Sequence, residues 1–169
     1  MKTVLCSFCL KSGILCQKCS ARLKSGEISE QDLKIARLLL SLEEKYPPLQ
    51  NVYFHRAVEV GKTLAIIVGS GDVPRLLGYG GRIIKALGEE TGKNIRILED
   101  GVDDRKFLED LFAPLSIVTI NTIWLPDGST ETRAILRKRL GTQPPFDVKA
   151  LKEIAQKIRN LSLRVEFAD

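Results

Sequence analysis

The sequence predicts an α+β fold built from small modules, and three observations carry that expectation. Four cysteines fall within fourteen residues near the N-terminus, as Cys6-Ser-Phe-Cys9 and Cys16-Gln-Lys-Cys19. Helical and strand periodicities then alternate between residues 28 and 98, around a glycine-rich turn at 78–81. A second alternation of the same kind runs from 104 to 167.

The cysteine spacing is C-x2-C-x6-C-x2-C. Two C-x2-C knuckles joined by a short loop suit a tetrahedral site of four thiolates, and soft sulfur favours zinc over magnesium or calcium. An iron–sulfur cluster or redox dithiol, and a pair of disulfides, are the competing readings. The five residues before Cys6 are too few for a secretory signal, so an oxidising compartment is not expected and a cytoplasmic location is. Residues 1–26 are read as a knuckle holding one structural zinc ion on Cys6, Cys9, Cys16 and Cys19. It is too small for a core of its own, so metal binding supplies its folding energy. Gly13 suits a turn with positive φ. Lys11, Lys18, Arg22 and Lys24 surround the knuckle, as phosphate contacts or as plain solvation.

The chain has 169 residues, 44% hydrophobic and 28% charged, which is globular composition. No apolar run approaches the roughly 18 residues of a membrane helix. The net charge of +5 is unevenly spread. Residues 1–24 hold five basic side chains and no acid, whereas 99–130 is acidic. Separate surfaces with separate roles are expected.

Residues 27–100 read as one unit. Ser29 is placed as the N-cap of a helix, with Asp32 completing a near capping box, Ile28 stapling onto Leu33, and Pro47-Pro48 ending the helix. Val52 to Val60 is a strand with Val52, Phe54, Val58 and Val60 on one face. Gly61-Lys62 turns the chain into Thr63 to Val68, apolar enough to be central. Asp72 is placed as the cap of a short helix, Val73 to Leu77. Gly78-Tyr79-Gly80-Gly81 leads into a second helix, and 94–98 is the closing strand.

The run Leu77-Gly78-x-x-Gly81-x-x-Ile84-x-x-Leu87, set between two helices with strands on either side, resembles the KH-domain core. The order α-β-β-α-α-β resembles the type II form. The resemblance implies single-stranded RNA as partner, clamped by Gly78, Tyr79, Gly80 and Gly81, with Arg75, Arg82 and Lys85 pairing phosphate. Glycines admit the RNA backbone, and the following helix offers free N–H groups. Tyr79 departs from the family, which tends to carry a polar or basic residue there; it either stacks on a base or packs back on the protein.

An acidic linker, Glu99 to Asp104, leads into the unit at residues 101–169. Asp104 to Phe112 is a helix, Leu115 to Trp124 and Thr130 to Leu136 are paired strands, Asp147 to Asn160 is a helix and Ser162 to Phe167 a strand. Phe107 to Leu115 resembles the start of the second KH domain of the NusA transcription factors. Its glycine loop is replaced by Gly141-Thr142-Gln143-Pro144-Pro145-Phe146. The fold expected is a type II KH domain followed by a degenerate KH-like α+β domain, preceded by the knuckle. Arg137, Lys138, Arg139, Lys149, Lys152, Lys157 and Arg159 form either a basic face or a solvated one interrupted by Glu153, and Trp124 is read as core.

No catalytic set is legible. His55 is the only histidine, and Gly61-Lys62-Thr63 lacks the earlier glycine of a phosphate-binding loop because Arg56 stands there. The chain is expected to bind rather than catalyse. Two roles stay open, a NusA-like factor on transcripts with RNA polymerase nearby, or a ribosome-associated factor on ribosomal RNA. A protein adaptor using KH folds structurally is the third.

Overall fold

The computed structural model describes residues 1–138 and 141–168. It contains two sheets. In the first, β1 (Lys2–Thr3), β2 (Tyr53–Val60), β3 (Thr63–Val68) and β4 (Asn94–Glu99) lie in that order, with β1–β2 parallel, β2–β3 antiparallel and β3–β4 parallel. In the second, β5 (Ile117–Trp124) and β6 (Thr130–Arg137) are antiparallel, and β7 (Leu163–Ala168) runs parallel to β6. The order and directions of β2-β3-β4 are therefore repeated by β5-β6-β7. The α+β class expected from the sequence is the class observed.

Seven α-helices are described: α1 (Ser7–Ser12), α2 (Gln17–Ser25), α3 (Glu30–Leu42), α4 (Val73–Leu77), α5 (Arg82–Thr91), α6 (Asp104–Leu111) and α7 (Val148–Arg159). Helix α3 starts where the sequence places it. The Ser29 hydroxyl accepts from the Asp32 N–H at 3.0 Å, and the Asp32 carboxylate accepts from the Ser29 N–H at 2.9 Å. The helix ends at Leu42, and Pro47–Asn51 forms a separate tight turn. Its buried stripe of Ile35, Ala36 and Leu39 meets Phe54, Ala57, Leu64, Ile66 and Val68 of the sheet, with Leu76, Ile83 and Leu87 from α4 and α5.

Strand β2 departs from the simple alternation. Its register against β3 shifts between Phe54 and Arg56, which is a β-bulge. Phe54 and Ala57 consequently join the first core, while Val58 and Val60 lean on the second. Val52, Phe54, Val58 and Val60 thus do not share one face, because the extra residue turns the strand over midway.

Strand β3 is buried along its whole length. Leu64, Ile66 and Val68 face the first core, and Ala65 and Ile67 face a second. That second core contains Leu98 of β4, Phe107, Leu108 and Leu111 of α6, Leu151, Ile154 and Ala155 of α7, and Leu136 and Leu163 of the second sheet. It draws on both sides of the acidic linker. Asp103 caps α6 by accepting from the Lys106 N–H at 2.9 Å. Gly141, Thr142, Gln143 and Pro145, in the segment standing where a second glycine loop was expected, are exposed, and Phe146 at its end packs against the body. Phe146 lies 5.7 Å from the Phe112 ring centroid and under the Arg96 guanidinium at 5.1 Å.

Two further expectations are corrected. Trp124 is 76% exposed and is not core. It pairs with Thr130 at the hairpin end, outside Thr132, where β7 begins with Leu163, so no third strand shelters it. Asp72 does not cap α4 with its side chain and is itself helical, at φ −87° and ψ −18°. Its buried carboxylate instead accepts from the Tyr53 N–H at 2.8 Å and pairs with Arg75.

Candidate nucleic-acid interface and metal centre

The turn between α4 and α5 is built from three successive left-handed residues. Tyr79, Gly80 and Gly81 have φ of 57°, 62° and 79°. A Cβ added at Gly80 or Gly81 would meet nothing within 4 Å, so backbone conformation and not crowding selects glycine there. Tyr79 adopts the same region with a full side chain, which is strained for an aromatic residue. Its ring is held edge-on by Tyr46, centroids 5.8 Å apart, yet stays about half exposed. Of the two options for Tyr79, the packing back on the protein is seen on one edge, and the rest of the ring is open.

Helix α5 begins at Arg82 with no side-chain cap. The Arg82 N–H donates to the Tyr79 carbonyl, and the positive end of the helix dipole faces the loop. Arg82 and Lys85, one turn apart, are exposed, and no described ion pair involves either. Arg75 is partly spoken for, since it pairs with Asp72 and donates to the Asn51 carbonyl at 3.4 Å. Of the three basic residues predicted beside the loop, one is tied, and two have no ion pair among the described residues.

Beside the loop runs a small apolar groove that sequence reasoning did not find. Val73 and Leu77 of α4 and Ile84 of α5 form one wall. Ile95, Arg96 and Ile97 of β4, the edge strand, form the other, and Asp110 and Ala113 complete the lining. These residues lie far apart in the chain and carry no local motif. Only the half-exposed Leu77, apolar at the lip of a glycine loop, hinted at a second surface.

The four cysteines converge. All four sulfurs lie within 4.8 Å of one another, and none is in a disulfide. A tetrahedral ion with metal–sulfur bonds of about 2.3 Å would space its sulfurs about 3.8 Å apart. Cys6 Sγ is 3.9 Å from Cys16 Sγ and 3.9 Å from Cys19 Sγ; the 3.0 Å Cys6–Cys9 pair must open slightly. The donor set therefore fits a metal ion. Cys6 and Cys16 are the N-caps of α1 and α2, so both helices point their positive ends at the sulfurs. The Cys16 N–H also donates to Cys9 Sγ at 3.1 Å.

Without a metal these thiols hold their protons unequally. The hydrogen bond shared with the Cys6 thiol pushes Cys9 up to about 12, although the Cys16 N–H pulls against it. The Cys19 N–H and the Cys9 thiol bring Cys16 down to about 6. Cys16 therefore becomes a thiolate well before Cys9.

The knuckle is fastened to the body of the protein. Leu5, Leu10 and Ile28 are buried in the first core, β1 extends the sheet, and the Met1 ammonium pairs with Glu43 at 3.0 Å. Arg22 belongs to this fastening, donating to the Val4 carbonyl and facing Glu27 at 3.7 Å, so it is not a free phosphate contact.

The C-terminal basic residues divide similarly. Arg159 pairs with Asp104 at 3.0 Å and covers the Phe107 ring, and Lys138 donates to the Thr142 carbonyl at 3.0 Å. Lys149, Lys152 and Lys157 are exposed on α7 beside Glu153, and Arg137 is exposed at the end of β6. Arg139 lies outside the described residues. His55 sits at the bulge, stacked on Tyr53 at 4.6 Å and 3.8 Å from Asp100. No described helix is long and apolar enough to cross a membrane.

The chain is similar to known proteins in two respects. It is 30% identical over 108 residues to the probable transcription termination protein NusA of Methanocaldococcus jannaschii, a match covering 61% of this chain. The chain spans 57% of that relative's length. Its fold is similar to the crystal structure of APE1850, with a TM-score of 0.56 and 21% identity, over 83% of this chain and all of that one. No family model matches it.

Proposed function

We propose that the chain binds single-stranded RNA as a NusA-like factor on transcripts, using the α4–loop–α5 unit, with a structural zinc ion on the four cysteines. One observation carries the reading. Three left-handed residues open directly onto a helix with no side-chain cap, whose first turns bear Arg82 and Lys85, neither in an ion pair among the described residues. Backbone N–H groups and two cations then face the phosphates, while the bases lie along the apolar groove between α4, α5 and the β4 edge. The partial likeness to a transcription termination protein supports the transcript over other RNAs. The role is binding and not catalysis. Zinc, when bound, holds Cys6, Cys9, Cys16 and Cys19 together and so folds the knuckle.

The test is a titration of metal-loaded protein against short single-stranded RNAs at several salt concentrations, with Tyr79→Asp/Gly80→Asp as the comparison. Both positions have positive φ, which aspartate tolerates better than most residues, so the fold should survive. Wild type should bind with an affinity that falls with salt, and the variant should lose most of it. Equal binding by both would remove the loop as the site. No binding by either would leave a protein adaptor. Co-purification with RNA polymerase supports the transcript; co-sedimentation with ribosomal subunits would move the site to ribosomal RNA.

A further inference from the structure

Among the described residues, the exposed large hydrophobics fall into three pairs: Phe8 with Ile14, Leu77 with Tyr79, and Val118 with Trp124. The second pair belongs to the glycine loop. The third lies on the second sheet, where Asp127 and Glu131 are close in the chain. The first pair is on the knuckle, where residues 1–24 contain five basic side chains and no acid.

Neither Phe8 nor Ile14 is needed for packing. Leu5 and Leu10 are buried, and Val4, Leu15 and Leu23 pack against the core. Phe8 at 66% and Ile14 at 70% exposure are the large apolar side chains this module leaves out. Ile14 is nevertheless held in place. The Ser12 hydroxyl accepts from its N–H at 3.2 Å and donates to its carbonyl at 3.3 Å. Phe8 is the second residue of α1 and Lys18 the second residue of α2, so they occupy the same place in the two C-x2-C knuckles. The 3.9 Å approach of Cys6 and Cys16, the two N-caps, brings those helix starts together. Lys11 lies one turn beyond Phe8 on the same face of α1. No described ion pair involves Lys11 or Lys18. Lys11 also borders a cavity shared with Glu43 and Glu44, so Lys18 is the cleaner cation.

We infer that the metal knuckle carries a second contact for the RNA strand, with a nucleobase stacked on Phe8 and packed against Ile14, and with Lys18 and Lys11 on the flanking phosphates. An exposed aromatic ring beside cations, on a segment that itself carries no acid, is the chemistry of sequence-tolerant single-strand binding. The inference rests on the RNA reading above and extends it, because a KH loop covers only about four nucleotides.

The experiment measures fluorescence anisotropy of the metal-loaded full chain with single-stranded RNAs of about 5 and about 12 nucleotides, the shorter matched to the loop alone. Cobalt loading, read by its thiolate absorption, shows that each variant keeps its metal site. Phe8→Ala should weaken the longer RNA about tenfold, leave the shorter unchanged and leave the salt slope unchanged. Phe8→Tyr should restore binding. Lys18→Gln should instead lower the salt slope by about 0.7. If Phe8→Ala binds the longer RNA as wild type does while Gly80→Asp loses both lengths, the knuckle contact is overturned and the loop reading stands. If wild type binds neither length, both fall. If an acidic peptide competes for the knuckle and depends on Phe8, the occupant is a protein and the RNA assignment is overturned.

Discussion

The Asp32 carboxylate accepts a 2.7 Å hydrogen bond from the backbone N–H of Ala57 with one oxygen while its other oxygen closes the capping box on Ser29. Strand β1 pairs only with Tyr53 and Phe54, so β2 has an open edge from there on. Asp32 fills that edge just past the bulge. Asp32→Ala should destabilise the fold by about 2–4 kcal/mol, joining the loss of a cap to an unsatisfied buried N–H. Urea unfolding should show a lower midpoint with an unchanged slope. A loss under about 0.5 kcal/mol would mean that water replaces the carboxylate.

Tyr79 should separate stability from binding. Tyr79→Gly relieves a left-handed residue at a gain of about 1 kcal/mol and loses an edge-on contact with Tyr46 of about 0.5–1.5 kcal/mol. The two nearly cancel, so the unfolding midpoint should hardly move. RNA affinity should still fall several-fold, since the open part of the ring is gone. A large stability loss with unchanged affinity would make the ring purely structural.

Metal affinity should fall with acidification. The ion binds thiolates, so protons compete with it. Cys16, at about 6, is already a thiolate at neutral pH and is protonated as pH drops through that value. Cys9, raised to about 12, must surrender its proton to the metal throughout. Binding should therefore weaken steadily from pH 8 downward, and more steeply below about 6, in a chelator competition at each pH. A flat profile would contradict thiolate ligation. Cys9→Ser should release the ion and loosen the knuckle, with hydrogen exchange rising in α1 and α2.

Trp124 offers a direct optical check, because it is the only tryptophan. Its emission should lie at the wavelength of indole in water and be quenched freely by iodide. Trp124→Ala should change stability by no more than about 0.5 kcal/mol. A blue-shifted, protected emission would mean that the hairpin end is covered.

Local signals were legible in the sequence, and long-range ones were not. The capping box at Ser29, the turn at Gly61, the cysteine spacing and the glycine loop are each written within a few residues, where geometry fixes side-chain type. The bulge in β2 is a choice of register against β3, and nothing in Phe54-His55-Arg56 announces it. Asp72 reads as a cap because it precedes a helix; its true partner, the Tyr53 N–H, lies nineteen residues away. Trp124 reads as core because large aromatics usually are, and its exposure depends on where β7 begins. The groove lining failed for the same reason, being assembled from α4, α5 and β4. Arg22 and Arg159 looked like free cations until their carbonyl partners, Val4 and Val102, came into view.

The shared second core has a practical side. A fragment ended at the acidic linker would keep the glycine loop, α4 and α5, yet it would bare Val58, Val60, Ala65, Ile67 and Leu98 to water. The half of the chain without a loop is the waterproofing of the half that has one. Truncation at Gly101 should accordingly give a sticky, poorly folded product, and heating the intact chain should melt both halves in one step. Any change at the Phe146–Arg96 seam then reaches the groove beside the glycine loop, because Arg96 lines that groove between Ile95 and Ile97.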